Sequence, residues 1–141
     1  MRLSSAVTDS SRAPPYIKDM ATHPINLGLR FLLELCALAA TATYGWTQFD
    51  GALRWILALA GPLLFMVLWA TFAVPDDPSR SGAAPVPVPG ALRLALEFAL
   101  LGFAAWALHV AGYTRPSLVY ATCLTLHYAT SWDRVIWLLK Q

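Results

Sequence analysis

Leu29-Arg30-Phe31-Leu32-Leu33-Glu34-Leu35 returns later in the chain as Leu92-Arg93-Leu94-Ala95-Leu96-Glu97-Phe98. Each copy sets an arginine and a glutamate four residues apart, close to the start of a long apolar run. Positions i and i+4 share a helix face, and helical side chains lean back toward the N-terminus. Each glutamate therefore reaches toward the arginine one turn before it. Both runs read as membrane spans, where ionisable side chains are expensive and mark protein-facing positions. The fold this predicts is all-α: an integral membrane four-helix bundle of two hairpins related as a parallel repeat.

Composition points the same way. Of 141 residues, 57% are hydrophobic and 13% charged, against roughly a quarter charged in a soluble domain. About 30 Å of hydrocarbon takes on the order of 20 apolar residues per span, and four such stretches fit between Ile25 and Leu139. The lipid bilayer is the first expected partner. Cys36 and Cys123 both fall inside apolar runs, so neither a disulfide framework nor a zinc cluster is indicated. No metal and no cofactor is expected, and a net charge of +2 is too small to call for nucleic acid.

Residues 1–24 are polar and rich in serine and proline, and read as a disordered tail. Met20 offers a second start. The tail has no apolar h-region and so is not a secretory signal. Ala40-Thr41-Ala42 has the look of a cleavage site, but the run before it is too long for an h-region and carries Arg30 and Glu34.

One domain over 25–139 then holds spans at about 25–47, 53–74, 90–113 and 117–139. The short turn Gln48-Phe49-Asp50-Gly51 makes the first two antiparallel neighbours. Gly61-Pro62 predicts a kink at a protein-facing position of the second. Pro75 to Gly82 stops that helix. Ala83 to Pro89 should be extended, polyproline-like and exposed, a natural boundary between the halves. Gly112 to Pro116 makes a second tight turn.

Orientation follows from lysine and arginine counts. Arg2, Arg12, Lys18, Arg80 and Lys140 fall on one side, Arg54 and Arg115 on the other. Both termini are thus expected in the cytoplasm of a bacterial cell, with both Arg-Glu pairs in the cytoplasmic half of its inner membrane.

The fourth span carries a polar stripe, Tyr120, Cys123, His127, Thr130 and Arg134, at spacings that keep one helix face. Running antiparallel to spans one and three, it brings Asp133 and Arg134 to the depth of the Arg-Glu pairs. The candidate cluster is Arg30, Glu34, Arg93, Glu97, Asp133 and Arg134, with His127 above it toward the midplane. Three acids against three arginines is the balance a low-dielectric interior demands. Two readings stay open. The pairs neutralise themselves and lock packing, or two carboxylates converge into a proton- or cation-responsive site. His127 is either a hydrogen-bonded interior histidine or a relay and ligand contact. Trp46, Trp55, Trp132 and Trp137 suit interfacial belts, while Trp69 and Trp106 lie deeper, where a pocket between helices would form. No phosphate loop, Ser-His-Asp order, Cys-x-x-Cys pair or small-xxx-small zipper stands out.

The order Asn26-Leu27-Gly28-Leu29-Arg30-Phe31-Leu32-Leu33-Glu34-Leu35, then Gly61-Pro62 with Trp69 and Phe72-Ala73-Val74-Pro75, then Leu92-Arg93-Leu94-Ala95-Leu96-Glu97, resembles the YrdB-like family. That family comprises small four-span bacterial membrane proteins, also described as a domain of unknown function. The resemblance covers roughly Asn26 to Leu139. It implies an integral membrane location and carries over no activity and no catalytic residue.

The leading reading is a non-enzymatic membrane protein whose Arg-Glu core fixes assembly or holds a small lipophilic or ionic ligand. Four short spans enclose little volume, so a transport role would call for a homodimer or larger oligomer. The alternative is a membrane enzyme acting on a lipophilic substrate, with Glu34, Glu97, Asp133 and His127 as acid and base groups. A third is an accessory subunit of a partner membrane protein.

Overall fold

The computed structural model describes residues 23–77, 79–80 and 83–141. Of the expected tail over residues 1–24, residues 1–22, with the alternative start at Met20, lie outside them, while His23 and Pro24 belong to the start of the first helix. Helix α1, Pro24–Gln48, opens on His23, whose Nδ1 accepts from the Ile25 amide at 3.3 Å, with Pro24 at the first helical position. That side-chain acceptor and the preset proline φ are what a helix start uses. After Phe49 and Asp50, α2 runs over Gly51–Thr71, starting from a left-handed Gly51 at φ +61.

The two helices touch backbone to backbone. A Cβ added at Gly45 would stand 2.5 Å from Ala58 N, and one at Gly61 3.6 Å from Thr41 O. Ala37, Thr41 and Gly45 are buried at successive i+4 positions of α1. This is the small-residue seam the sequence was said to lack, hidden because a threonine occupies its middle. Seams of this kind let helices approach where lipid offers no hydrophobic drive.

The second span was expected to reach Val74, but α2 ends at Thr71 and Phe72 turns extended. A residue before proline is pushed out of the helical region, which bars Val74 and loosens what precedes it. Strand β1, Phe72–Ala73, pairs in parallel with β2, Val86–Pro87, and the Val88 amide donates to Ala73 O at 3.0 Å. The proline-rich segment is extended and its β2 residues are exposed, as expected. It is tied back to the end of α2 all the same, and so is more than a tether.

Helix α3, Gly90–Val110, ends in a Schellman motif: Tyr113 N–H donates to Leu108 O and Gly112 N–H to His109 O, with Gly112 at φ +88. Where one span over 117–139 was expected, the chain forms two helices, α4 over Thr114–Thr130 and α5 over Trp132–Leu139. They meet at Ser131, whose backbone leaves the helix at φ −102, ψ 26. Its Oγ accepts from Asn26 Nδ2 at 2.6 Å, and Thr130 Oγ1 donates back to Leu126 O and His127 O. Back-bonding of that kind bends helices, and the Asn26 contact fixes the bend against α1.

Helix α1 packs on α2, α3 and α4, and α3 packs on α4 and α5. The core between them is Leu33, Ala37, Ala40, Leu101, Ala104 and Tyr120. Within α2 only Phe65 is buried, while Leu59, Leu63 and Val67 each stand more than half exposed. Among the described residues three helices, α1, α2 and α3, are long and apolar enough to cross a membrane.

Candidate functional site

Glu97 lies one turn after Arg93 on α3, and the two residues are each 1% exposed. Its Oε1 accepts from Arg93 Nε at 3.0 Å, Arg30 Nη2 at 3.3 Å and Arg134 Nη2 at 2.8 Å. Its Oε2 accepts from Arg134 Nη1 at 2.9 Å and from the Tyr128 hydroxyl at 3.1 Å. One carboxylate thus gathers α1, α3, α4 and α5. Five donors on two oxygens leave no lone pair idle, the condition under which a buried charge is tolerated.

The duplicated motif keeps its local geometry in both copies. Arg30 Nε meets Glu34 Oε1 at 3.1 Å, matching the 3.0 Å of Arg93 and Glu97. Beyond that the copies differ. Glu34 keeps 25% of its side chain exposed and pairs with Arg30, while Glu97 takes three arginines.

Arg93 also turns to α2. Its Nη1 donates to Trp69 O at 3.0 Å and to Phe72 O, and Arg80 Nη2 donates to Ala70 O at 2.9 Å. No basic residue lies in the last turn of α2, so its unpaired carbonyls and negative dipole end are met by arginines from α3 and the loop. Two guanidinium groups lie over the Trp69 ring, Arg93 at 4.4 Å and Arg30 at 5.5 Å from its centre. Trp69 was expected deeper in its span, but α2 stops at Thr71 and leaves it in the last turn, under these two cations.

The third acid comes from the loop. Asp77 Oδ2 accepts from Arg134 Nη2 at 2.7 Å, and its Oδ1 accepts from the Ser79 amide at 3.0 Å and hydroxyl at 2.7 Å. Ser79 Oγ in turn accepts from Arg30 Nη1 at 2.8 Å. Asp76, with φ +59, makes the turn that aims Asp77 inward; aspartate tolerates this left-handed region better than most residues. Burial alone would raise the Asp77 carboxyl, but the Arg134 guanidinium and the Ser79 donors outweigh it and hold it down at about 2. A depressed folded-state value means that the loop's attachment is present above the ordinary carboxylate value of 3.8 and is lost as pH falls through about 2. Protection of the Ser79 amide, its hydrogen-exchange rate taken against the intrinsic rate at each pH, should hold down to about pH 4 and be lost between there and about pH 2. In Asp77→Asn that protection should be low throughout, and an unaltered protein that keeps it across the window would refute the assignment.

Asn26 organises the rest of the α4 contact. Its Nδ2 donates to Ser131 Oγ, and its Oδ1 lies 3.3 Å from Thr130 Oγ1, whose proton goes to the α4 carbonyls. With the amide so oriented, His127 Nδ1–H donates to Asn26 Oδ1 at 2.9 Å.

Arg30, Glu34, Arg93, Glu97 and Arg134 therefore come together, and His127 lies beside them, bonded to Asn26 in the first turn of α1. Asp133 is half-buried on α5, and the carboxylates that Arg134 binds are those of Asp77 and Glu97. Neighbours on a helix do not face the same way, so burying Arg134 turns Asp133 aside. The expected balance of three acids and three arginines is met by Asp77 instead. Asp77-x-Ser79, a side chain bonding its own backbone two residues on, was the available signal. Ser79, Tyr128 and Asn26 were also missed, being polar residues with no charge to flag them. Beside the cluster lies a groove of about 310 Å³ lined by Leu27, Arg30, Phe31, Glu34, Trp69, Ser79 and Arg80.

Three apolar helices of membrane-crossing length, fastened at one end by a neutral ion cluster, define a small helical protein of membrane-compatible build. The chain belongs to the family described as "Protein of unknown function (DUF2568)", which matches residues 28–125. It is similar to the "Uncharacterized protein YrdB" of Bacillus subtilis (strain 168), at 42% identity over 117 residues, 82% of this chain and 94% of that protein. No solved structure matches. The family match takes in Arg30, Glu34, Asp77, Arg93 and Glu97, and stops short of Tyr128 and Arg134.

Proposed function

We propose that the protein is a non-enzymatic integral membrane protein of the bacterial cytoplasmic membrane, in which α4 and α5 complete a four-helix bundle with α1, α2 and α3. The cluster is its fastening, holding four helices and the 72–89 loop together at the cytoplasmic end and forming the wall of a small ligand groove. The observation that carries this is Glu97, whose two oxygens are occupied by five donors from three arginines and a tyrosine. A general base needs a lone pair turned toward substrate, and Glu97 has none to offer. The exposed leucines and valine of α2 support lipid as its surroundings.

Site-directed labelling tests the topology. In a Cys36→Ala, Cys123→Ala background, Asp50→Cys should react with a membrane-impermeant maleimide in intact cells. Lys140→Cys should react only after permeabilisation. Labelling of both from the same side would overturn the four-span arrangement. Release of the protein by alkaline carbonate would overturn membrane integration itself.

A further inference from the structure

The groove beside the cluster differs from the apolar clefts elsewhere in the fold. Its volume of about 310 Å³ is at the lower end of ligand pockets, roughly 300–1,000 Å³, and four of its seven lining residues are polar or charged. The cluster behind it is already balanced, so Arg80 adds a positive charge with no counterpart in that count. The Arg80 side chain donates to Ala70 O through Nη2, and its buried Nη1 has no hydrogen-bond partner among the described residues. A buried donor left unmet is costly, and an anionic oxygen is the acceptor that meets it best. Across the groove Glu34 is the acid of the cluster that keeps part of its side chain exposed. It repels a second negative charge and accepts a hydrogen bond from whatever the first one carries.

The apolar lining fixes the rest of the ligand. Leu27 and Phe31 are in the wall, and Leu35 follows one turn on, all three exposed on one face of α1. A chain leaving the groove along that face would run down the helix into the bilayer.

We propose that this groove binds the phosphodiester of a membrane phospholipid whose headgroup bears a hydrogen-bond donor. The phosphate sits on Arg80, the ammonium or hydroxyl of an ethanolamine or glycerol headgroup donates to Glu34, and one acyl chain lies along Leu27, Phe31 and Leu35. A choline headgroup, lacking any N–H or O–H, is discriminated against. The lipid source, though not the headgroup chemistry, rests on the membrane reading above.

Native mass spectrometry of the full chain in detergent, titrated with phosphatidylethanolamine, phosphatidylglycerol and phosphatidylcholine, tests this. Ethanolamine and glycerol lipids should be retained about tenfold better than the choline lipid, the worth of one charge-assisted hydrogen bond. Arg80→Gln should lower retention of the first two about tenfold, and Arg80→Lys should restore part of it. Glu34→Gln should level the three lipids while leaving the choline lipid where it was. Equal retention of all three by the unaltered protein, or no effect of Arg80→Gln, would overturn the proposal. Water-soluble glycerophosphoethanolamine competing as well as its lipid would overturn the lipid assignment alone. Because the titration is done in detergent, it can fail while carbonate extraction still finds the protein in the membrane, so the two ideas fall separately.

Discussion

Glu97→Gln should be the most damaging single change in the molecule, with accumulation in the membrane fraction falling to a small fraction of the unaltered level. The substitution keeps shape and volume and removes one negative charge. It leaves Arg30, Arg93 and Arg134 around a neutral amide whose NH₂ points donors at donors. Breaking a buried ion pair by removing one partner costs about 3–5 kcal/mol, a large share of the 5–15 kcal/mol typical of a folded domain. Glu34→Gln, which touches one arginine and is partly exposed, should cost about 1 kcal/mol or less. The two glutamates each follow an arginine by one turn in similar stretches of sequence, so the difference between the variants reports their different tertiary contacts. Equal abundance and equal thermal unfolding of both variants would refute Glu97 as the hub.

Gly90→Ala comes next. A Cβ at Gly90 would stand 1.8 Å from Leu138 O, closer than any real contact, and what it meets is backbone. The start of α3 must move away from the end of α5, and Arg134, one turn before Leu138, moves with α5 off Glu97. Overpacking costs about 1–3 kcal/mol where side chains absorb it, and the upper end or beyond is expected where a carbonyl cannot. Gly102→Ala is the control: nothing lies within 4 Å of its added Cβ, so it should be neutral or stabilise by about 0.5–1 kcal/mol through helix propensity. Thermal unfolding of the purified variants in detergent reads both. Unfolding of Gly90→Ala at the unaltered temperature would contradict the close approach of α3 and α5.

Much of the site was legible because its strongest signal is local. Arg30 with Glu34 and Arg93 with Glu97 are four residues apart in sequence and 3.1 and 3.0 Å apart in space. The three long helices were legible for a similar reason, since uninterrupted apolar length needs no knowledge of partners. What could not be read was anything set by where the helices end up. The choice of Glu97 over Glu34 as hub depends on α4 and α5 lying against α3. The substitution of Asp77 for Asp133 depends on a loop folding back over that end. The break at Ser131 depends on Asn26, far away in sequence, offering the hydroxyl a partner.

The pairing within each helix also bears on how such a chain is made. On the membrane reading proposed above, a chain made from its N-terminus would present Arg30 to the bilayer before any other helix exists, with Glu34 one turn on as its own counter-ion. Arg93 would enter with Glu97 in the same way, so that each segment would cross from water to lipid almost electrically neutral. Arg134 has no acid one turn away on its own helix, and it is the last of the three arginines to be made. By then both of its partners, Asp77 and Glu97, are already in place. The order of charges along the chain is thus also an order of assembly, in which each arginine has its carboxylate either one turn behind it on the same helix or already made.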